Sequence, residues 1–481
     1  MNKKFILKKN FKFIILIIII FILLYNKNIN KNVNNQTKNI IYCENELDPF
    51  YTFKKILNST PIILCKSEET EHICYQNHFS FFEIKGGVIC LMKNLYINPK
   101  FWKEDGYNFD KGPTNLKTKG IPLISKGFFN MKCDVENSFS GYNELYEKYF
   151  HSWNYSINNF NIKNNKNKIE EELFPGKTVF ILSRNQDSPN LLIGGCQFLN
   201  AFSLMHLLNL NPENIQVLFL ESMKLNYDPY YNLYKNIISR GVDPIHIRDL
   251  NHSKIYHITN GIHVPLNWDS PCFCKTKIPN CKTKTKTYDY FYDSIFKYMN
   301  ISTFIDDINY NKEIFYYPKS FNNAYLYKYK KFVTIQWRKP WPKNRKGQSR
   351  ILGNGPEIVE KLDSILNKYN ILVRLVDTAL LPIEEQISIM QKTDYFLGIH
   401  GAGLFLSIYL PSHSIVHEIK SKKKQITNRP QIIGIISGHK VYSDFIKIII
   451  KNEDFQEKYF INKEDLIKHI LNLMKKNNFL N

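Results

Sequence analysis

The chain lacks several short patterns that would have fixed its class at once. Its nine cysteines include no C-x2-C pair, and no histidine stands at ligand spacing from them, so the sequence does not favour a zinc site. No small-residue A-x-A cleavage pattern follows the apolar residues 13–25. Acidic residues are also scarce, with 43 Asp and Glu against 65 Lys and Arg.

The shortage of acidic residues leaves a formal net charge of +22, which in a nuclear protein would suggest nucleic-acid binding. Here the lysines are spread along Asn/Lys-biased stretches, and the amino terminus directs the chain away from the nucleus. Compositional bias explains the charge better. We therefore expect no nucleic-acid partner, only a modest attraction to anionic nucleotides or acidic glycans.

The first 25 residues determine the expected location. A basic segment precedes the apolar residues 13–25, and its lysines are Lys3, Lys4, Lys8, Lys9 and Lys12. This order predicts a signal anchor with a cytoplasmic amino terminus, so residues 1–26 would hold a single-pass type II protein in the endoplasmic reticulum or Golgi membrane. A cleaved signal sequence is the alternative. The Asn/Lys-rich residues 27–41 are typical of an unpacked stem.

A chain of 481 residues is long enough for two or three domains. Residues 42–175 form a Cys-bearing region, and five N-glycosylation sequons begin at Asn35, Asn58, Asn154, Asn251 and Asn300. In an oxidising lumen the cysteines could form up to four disulfides. One group comprises Cys43, Cys65, Cys74, Cys90 and Cys133; a second, Cys272, Cys274 and Cys281, predicts a disulfide-pinned loop.

From residue 176 onward, apolar strand patterns alternate with helical ones. Strands are predicted at 178–182, 216–221 and 245–247, with helices at 198–208 and 229–239 between them. A second series begins with a strand at 331–336. This rhythm indicates an α/β fold with two halves, residues 176–325 and 326–481, and a hinge near 310–329.

The most informative segment is I-H-G-A-G-L at residues 399–404. It follows an apolar strand pattern and precedes residues 405–410, which can form a helix. A strand that turns into a helix offers unpaired backbone N–H groups to an anion such as a nucleotide diphosphate. Gly401 and Gly403 are expected to adopt dihedrals closed to other residues and to let the backbone approach the ligand. His400 would supply a donor or acceptor.

The neighbouring elements predict where this turn lies. Strands at 371–377 and 414–419 and a helix at 383–392 surround it. Ligands of doubly wound sheets bind beyond the carboxyl ends of the strands. Asp377, His400 and Glu418 are therefore expected at one crevice. His417 should point to the opposite face from Glu418, because neighbouring residues of a strand alternate. His206 and His263 are expected to be packed or surface histidines.

Three motifs together resemble glycosyltransferase family 61: V-D-x4-P-I-E-E-Q-I, D-Y-F-L-G-I-H-G-A-G-L and L-P-x4-V-H-E-I, within residues 331–420. Members of that family include β-1,2-xylosyltransferases and extracellular O-linked N-acetylglucosamine transferases. The resemblance implies a GT-B architecture, two Rossmann-like domains facing a cleft, with the donor on the carboxyl-terminal half and the acceptor on the amino-terminal half. Residues before 174 contribute nothing to it.

The resemblance also implies the residues that bind the nucleotide-sugar donor. These are Arg338, Arg350, Asn354, His400, Gly401, Ala402, Gly403 and Glu418, with Glu357 opening a helix. Guanidinium groups bind diphosphate oxygens and stabilise the departing nucleoside diphosphate. The loop 339–349 between the two arginines is strongly cationic and longer than the family's usual spacing. Glu418 would accept the ribose hydroxyls, while Asp377 and Gln386 are expected to support the site.

The catalytic base is less well defined. Inverting transfer, the course implied by the resemblance, needs a group that takes the acceptor hydroxyl's proton. Family members carry a His and an Asp on the first helix of the amino-terminal half, but residues 190–202 contain neither; Gly194 or Gly195 and Gln197 occupy comparable places. Asp187 could act as base, or Glu221 or Asp228 near the end of the next strand. Alternatively, transferase activity has been lost.

The sequence thus predicts an inverting glycosyltransferase that moves xylose or N-acetylglucosamine from a UDP-sugar to a glycoprotein glycan or protein hydroxyl. No D-x-D motif of the metal-dependent transferases occurs, so no metal or other cofactor is required. The alternative is an inactive lumenal protein that binds nucleotide or glycan. A third possibility is an unrelated basic surface protein held by disulfides.

Overall fold

The computed structural model divides the chain into two units, Met1–Tyr42 and Cys43–Asn481. The described residues all belong to the second unit. They are residues 48–76, 88–103, 123–124, 127–131, 169–182, 191–220, 229–265, 284–299, 314–321, 328–337, 351–378, 381–412, 414–420, 433–434, 436–446, 448–453 and 456–480. Every structural statement below concerns these residues.

The membrane anchor at residues 1–26 and the stem at 27–41 lie outside the described residues, so both stay predictions. Within the described ranges, no helix is long and apolar enough to cross a membrane.

The first sheet is mixed and runs in the order β1-β2-β3-β11-β8-β9-β10, with β6 paired to β3 and β7 to β11. Strands β8, β9, β10 and β11 are parallel to their neighbours in that group, whereas β1, β2 and β3 are antiparallel and extend the same sheet. The bounds are β1 Ile62–Lys66, β2 Glu71–Gln76, β3 Val88–Ile97, β4 Trp102–Lys103, β5 Leu123–Ile124, β6 Phe129–Asn130, β7 Ile169–Glu172, β8 Thr178–Leu182, β9 Ile215–Phe219, β10 Ile245–His246 and β11 Ile255–His263.

The second sheet has the order β12-β15-β13-β16-β17-β18, and all its pairings are parallel except that of β12 with β15. Strands β14, β20 and β19 form a small third sheet, and β4 pairs with β5. The bounds are β12 Phe315–Tyr316, β13 Lys331–Gln336, β14 Ile351–Leu352, β15 Ile371–Val376, β16 Tyr395–Ile399, β17 Ile415–Lys420, β18 Lys440–Phe445, β19 Ile448–Glu453 and β20 Gln456–Ile461.

Several α-helices accompany the sheets. Their bounds include α1 Pro49–Leu57, α2 Leu191–Leu207, α3 Tyr231–Leu233, α4 Lys286–Tyr298, α5 Gly355–Leu366, α6 Ile383–Gln391 and α7 Lys463–Lys476. Every residue of β15, β16 and β17 is buried, which is typical of parallel strands covered on both faces. The result is a mixed α/β fold, as the sequence predicts.

Several predicted elements have different bounds or types in the structure. Helix α2 begins at Leu191 and includes Gly194 and Gly195, because close packing there overrides the poor helix propensity of glycine. The helix predicted at 229–239 is a short α-helix that continues as a π-helix, Tyr234–Ile238. The segment after the glycine turn is a 3-10 helix, Ala402–Tyr409, that starts earlier than predicted.

A single hydrophobic core contains side chains from both large sheets. Phe180 and Phe219 come from the first sheet, and Val376 and Phe396 come from the second. Helix α2 contributes Phe198 and Phe202 to this core and contacts the 3-10 helix Ala402–Tyr409. The two halves therefore share buried apolar surface and do not meet only across a polar cleft.

Hydrogen bonds from α4 reinforce this shared core. The Tyr288 hydroxyl donates to the carbonyl of Leu410 at 2.9 Å, and the Tyr292 hydroxyl donates to Oε1 of Gln391 at 2.8 Å. Thr285, which caps α4, donates through Oγ1 to the carbonyl of Ile436 at 2.9 Å. Each bond joins the helix before the second half to an element of that half.

The cysteines of the early group behave as predicted where they are described. Cys74 and Cys90 form a disulfide between β2 and β3, and Cys65 is also disulfide-bonded. Cys196, on α2, is buried and forms no disulfide. Cys272, Cys274 and Cys281 lie outside the described residues.

The shared core predicts a large difference between two phenylalanines on helices. Phe198 is 1% exposed and packs on Tyr234, whereas Phe296 is 44% exposed. Replacing Phe198 with Ala should destabilise the fold by about 3 to 5 kcal/mol, because it removes a large side chain from a packed core. Phe296→Ala should cost less than about 1 kcal/mol. Urea denaturation of both variants checks this, and equal losses would contradict the placement of α2.

Candidate functional site

The candidate site lies where β16, β17 and β18 end side by side. In the register of these parallel strands, Gly398 pairs with Glu418, and Glu418 pairs with Ser443. The I-H-G-A-G-L segment completes β16 and turns into the 3-10 helix. The backbone N–H of His400 donates to the carbonyl of Ile419 at 2.9 Å, which ties the turn to β17.

Glu418 is the centre of this arrangement. Its side chain has no solvent exposure, and its carboxylate accepts three interactions from protein groups. Nδ1 of His400 bonds to Oε1, the hydroxyl of Ser443 donates to Oε2 at 2.6 Å, and Nζ of Lys420 lies 3.2 Å from Oε2. A buried carboxylate is stable only with such compensation.

The partners of Glu418 decide its charge. Burial raises the pKa of this carboxyl, but the hydrogen bonds from His400 and Ser443 and the nearby charges outweigh it, so the pKa lies below its ordinary value. Glu418 is therefore an ionised carboxylate at neutral pH. Because an ionised carboxylate only accepts hydrogen bonds, Nδ1 of His400 carries the proton. Nε2 is the ring nitrogen that takes no part in this hydrogen bond.

The glycine turn differs from the sequence-based expectation. Gly401 has φ 165° and ψ 176°, an extended conformation that any residue adopts, so the prediction of special dihedrals is wrong there. Gly403 is required for space, because a Cβ at this position would collide with the side-chain amide of Gln336 on β13. A Cβ at Gly398 would lie 2.8 Å from Cδ2 of Leu404 and, less tightly, 3.3 Å from Oε1 of Gln336. Position 403 is suited to glycine because the Gln336 side chain comes so close to it, and not because of its backbone dihedral angles.

The side chains on the other face of β17 hold the fold together. His417 is fully buried, bonds through Nδ1 to the Tyr395 hydroxyl at 2.8 Å, and places Nε2 2.8 Å from Oδ2 of Asp444. The hydrogen bond from His417 is the largest of the effects that lower the pKa of Asp444. His469 adds a contact to the same carboxylate at 3.4 Å. The prediction that His417 and Glu418 point to opposite faces is confirmed.

Three further predicted site residues are engaged in holding the fold. The Asn354 amide donates to the carbonyl of Ile461 at 2.8 Å and accepts from its N–H at 3.2 Å. Gln386 donates to the carbonyl of Leu381 at 2.8 Å. Asp377 follows β15, which is separated from β16 by β13, so roughly 10 Å lies between those strands. The structure brings His400 and Glu418 together, with Asp377 further along the same edge.

Four predicted site residues lie outside the described residues: Asp187, Glu221, Arg338 and Arg350. Asp228, the other proposed base, lies there as well. Their roles stay predictions.

Helix α2 includes residues 191–202, from the stretch where the resemblance implies a His and an Asp, and it contacts the 3-10 helix after the glycine turn. Gly194, Gly195 and Gln197 are all buried on α2. A Cβ at Gly195 would collide with the Phe405 ring of the 3-10 helix and lie 2.6 Å from the Tyr230 hydroxyl. His206, near the end of α2, packs on Phe202, and burial lowers its pKa. Helix α2 thus supports the turn and offers it no carboxylate.

Two residues of the site were missed by sequence reasoning. Lys420 could have been found, because it is two residues after Glu418 and so returns to the same face of β17. Ser443 has no such signal: it comes from β18, and only the pairing of that strand with β17 brings it to Glu418.

The comparison with known families decides the assignment. Residues 262–417 match the family model described as Glycosyltransferase 61, and the match includes the whole glycine turn. Over these residues the chain is similar to the glycosyltransferase 61 family. The predicted resemblance is confirmed, and the family implies transfer of sugar from a donor to a glycan acceptor. No curated protein matches the chain.

The charge of Glu418 predicts a pH-dependent stability. Its folded pKa lies below the ordinary value of 4.5, so its contribution is complete above that pH and is lost as pH falls through the folded pKa. Glu418→Gln should be less stable than wild type by about 3 to 5 kcal/mol near neutral pH, because His400 and Lys420 lose their buried partner. The difference should shrink below pH 4.5.

Urea denaturation between about pH 7 and about pH 3 measures this difference. The matched control is Glu385→Gln on the exposed start of α6, for which we expect a small difference at every pH. A Glu418→Gln effect that does not change with pH would contradict the assigned charge.

The space requirement at Gly403 predicts coupling with Gln336. Gly403→Ala should destabilise the fold by about 1 to 3 kcal/mol, because its Cβ forces the Gln336 side chain out of place. Adding Gln336→Ala should recover part of that loss, so the double variant should cost less than the two single variants together. Denaturant midpoints of the three variants measure the coupling. Strictly additive losses would argue against the close contact.

Proposed function

We propose that the chain is an inverting glycosyltransferase that uses a UDP-sugar and binds its diphosphate at the turn formed by residues 400–403. The observation that carries the proposal is the buried Glu418 holding His400 at the carboxyl ends of parallel strands, where ligands of such sheets bind. The first N–H groups of the 3-10 helix have no acceptor within it and suit an anion.

His400 and Glu418 would have different roles at this turn. Glu418 fixes the imidazole through Nδ1, so Nε2 is the atom that would meet a phosphate oxygen of the donor. The resemblance implies that Glu418 accepts ribose hydroxyls. In that role it would have to exchange Ser443 or Lys420 for the ligand, since both its oxygens already have protein partners. We favour the role of holding His400.

Sugar transfer needs a base for the acceptor hydroxyl and groups that stabilise the departing UDP. The acceptor hydroxyl oxygen would form a bond to the anomeric carbon while the bond from that carbon to the UDP oxygen breaks. A base, Asp187 or Glu221, would take the hydroxyl proton. The negative charge on the departing UDP would be stabilised by His400 and by Arg338 and Arg350. None of these steps requires a metal ion.

We further propose the GT-B arrangement, with xylose or N-acetylglucosamine as the sugar and a glycoprotein glycan or protein hydroxyl as the acceptor. The signal anchor would place the catalytic part in the lumen of the endoplasmic reticulum or Golgi. The sequons at Asn58 and Asn251 support a lumenal location, because both asparagines are exposed and open to glycosylation.

The alternative is a silent protein, meaning one that still binds nucleotide but no longer transfers sugar. One observation favours it: α2 contacts the 3-10 helix after the turn and carries buried Gln197, with Gly194 or Gly195, at the places where the resemblance implies an Asp and a His. This alternative predicts nucleotide binding without turnover.

A panel of UDP- and GDP-sugars separates these two functions. The lumenal fragment from about residue 42 is assayed for binding and for donor hydrolysis, as wild type, His400→Ala and His469→Ala. We expect slow hydrolysis of one UDP-sugar and a loss on the order of 10²-fold in His400→Ala, because a preorganised donor to the leaving group is removed. His469→Ala, altered on the other face of the sheet, should keep the activity.

Binding of nucleotide without hydrolysis of any donor, even with glycan acceptors added, would identify the silent protein. Failure to bind any of the nucleotides would overturn both functions.

A further inference from the structure

The charge of Glu418 opposes the binding of an anion at the candidate site. The Glu418 carboxylate bonds to Nδ1 of His400, and the donor diphosphate is proposed to bind beside the same imidazole. Like charges at short range repel each other, and the repulsion is stronger where water is excluded. Because Glu418 has no solvent exposure, solvent screens its charge poorly. A carboxylate that orients His400 therefore also weakens the binding of a diphosphate, unless another group offsets its charge.

Lys420 lies where it can offset this charge. It is two residues after Glu418 on β17, so the two side chains lie on the same face of the strand. Its Nζ is 3.2 Å from Oε2 of Glu418, and its side chain is only 6% exposed. Each of these charges would be costly to bury alone, and the contact between them compensates both. The ion pair as a whole has no net charge.

The two neighbours of Oε2 give Glu418 different things. Ser443 donates a hydrogen bond at 2.6 Å but carries no charge, whereas Lys420 brings a full positive charge. Asp444, the residue after Ser443 on β18, is directed to the other face of the sheet, where its carboxylate lies 2.8 Å from Nε2 of His417. It therefore adds no negative charge on the side of the turn. Hydrogen bonding and charge compensation at Glu418 are thus supplied by separate residues.

We propose that Lys420 is a positioning residue for the nucleotide-sugar donor: it offsets the charge of Glu418, so that the carboxylate holds His400 without repelling the diphosphate. The inference rests on the proposed function, because it requires a diphosphate at residues 400–403. Lys420 acts on the ligand through Glu418 and needs no contact with it. The role requires a positive charge at position 420 and not a particular side-chain shape.

Equilibrium binding of UDP and of uridine to the full chain tests this role. The two ligands share the nucleoside, but only UDP carries the diphosphate. We expect Lys420→Met to weaken UDP binding at least about tenfold and to change uridine binding less than about twofold, because only an anion is repelled by uncompensated Glu418. Lys420→Arg keeps the charge and should recover most of the affinity for UDP. Ligand-observed NMR competition measures both ligands.

Two further variants sharpen the test. The matched control is Lys440→Met, since Lys440 is exposed and pairs with Ile415 at the amino ends of β18 and β17, away from the turn. It should bind UDP as wild type does. The double variant Glu418→Gln/Lys420→Met removes both charges of the pair, so it stays informative if Lys420→Met fails to fold. Its ratio of UDP affinity to uridine affinity should lie within about threefold of the wild-type ratio, because nothing is left to compensate.

The outcomes separate this inference from the function on which it rests. If Lys420→Met binds UDP as tightly as wild type, the inference is wrong and the proposed function stands. Equal losses of UDP and uridine binding would mean that Lys420 only supports the fold, and a double variant that loses its preference for UDP would mean that charge compensation is not its role. Either result overturns the inference. If the wild-type chain binds no UDP, the proposed function fails and the inference fails with it.

Discussion

A carboxylate without solvent exposure must be compensated by its neighbours, and Glu418 meets this requirement with groups from three adjacent segments. His400 comes from the end of β16, Lys420 from β17 itself and Ser443 from β18. If any of these strand ends moved, a buried charge would lose a partner. The position of the glycine turn, and with it the candidate donor site, therefore depends on the satisfaction of this one carboxylate.

The turn is also held from its other side by packing. Phe405 extends from the 3-10 helix into the core and lies against Gly195 of α2, a position where even a methyl group would collide. The same core contains side chains from both large sheets. Electrostatics thus fixes the strand ends, while apolar contacts fix the helix that follows them. A ligand at the turn would meet a preorganised surface, which lowers the cost of binding.

The sequence predicted much of the second half, because its strands are continuous apolar runs separated by a recognisable turn. Strand Lys331–Gln336 and the pairing of His400 with Glu418 at one edge are examples. The sequence could not reveal Ser443, since its contact with Glu418 depends on long-range pairing, or the role of Gly403, since Gln336 is far away in the chain.

The central claim is that a nucleotide diphosphate binds at the turn held by Glu418. Amide hydrogen exchange of the fragment from about residue 42, with and without saturating UDP, tests it most directly. The account predicts slower exchange at residues 399–404 and 418–420, with no change in the distant strands β1 and β2. Protection absent from the turn while UDP is bound, or confined to the first sheet, would contradict it.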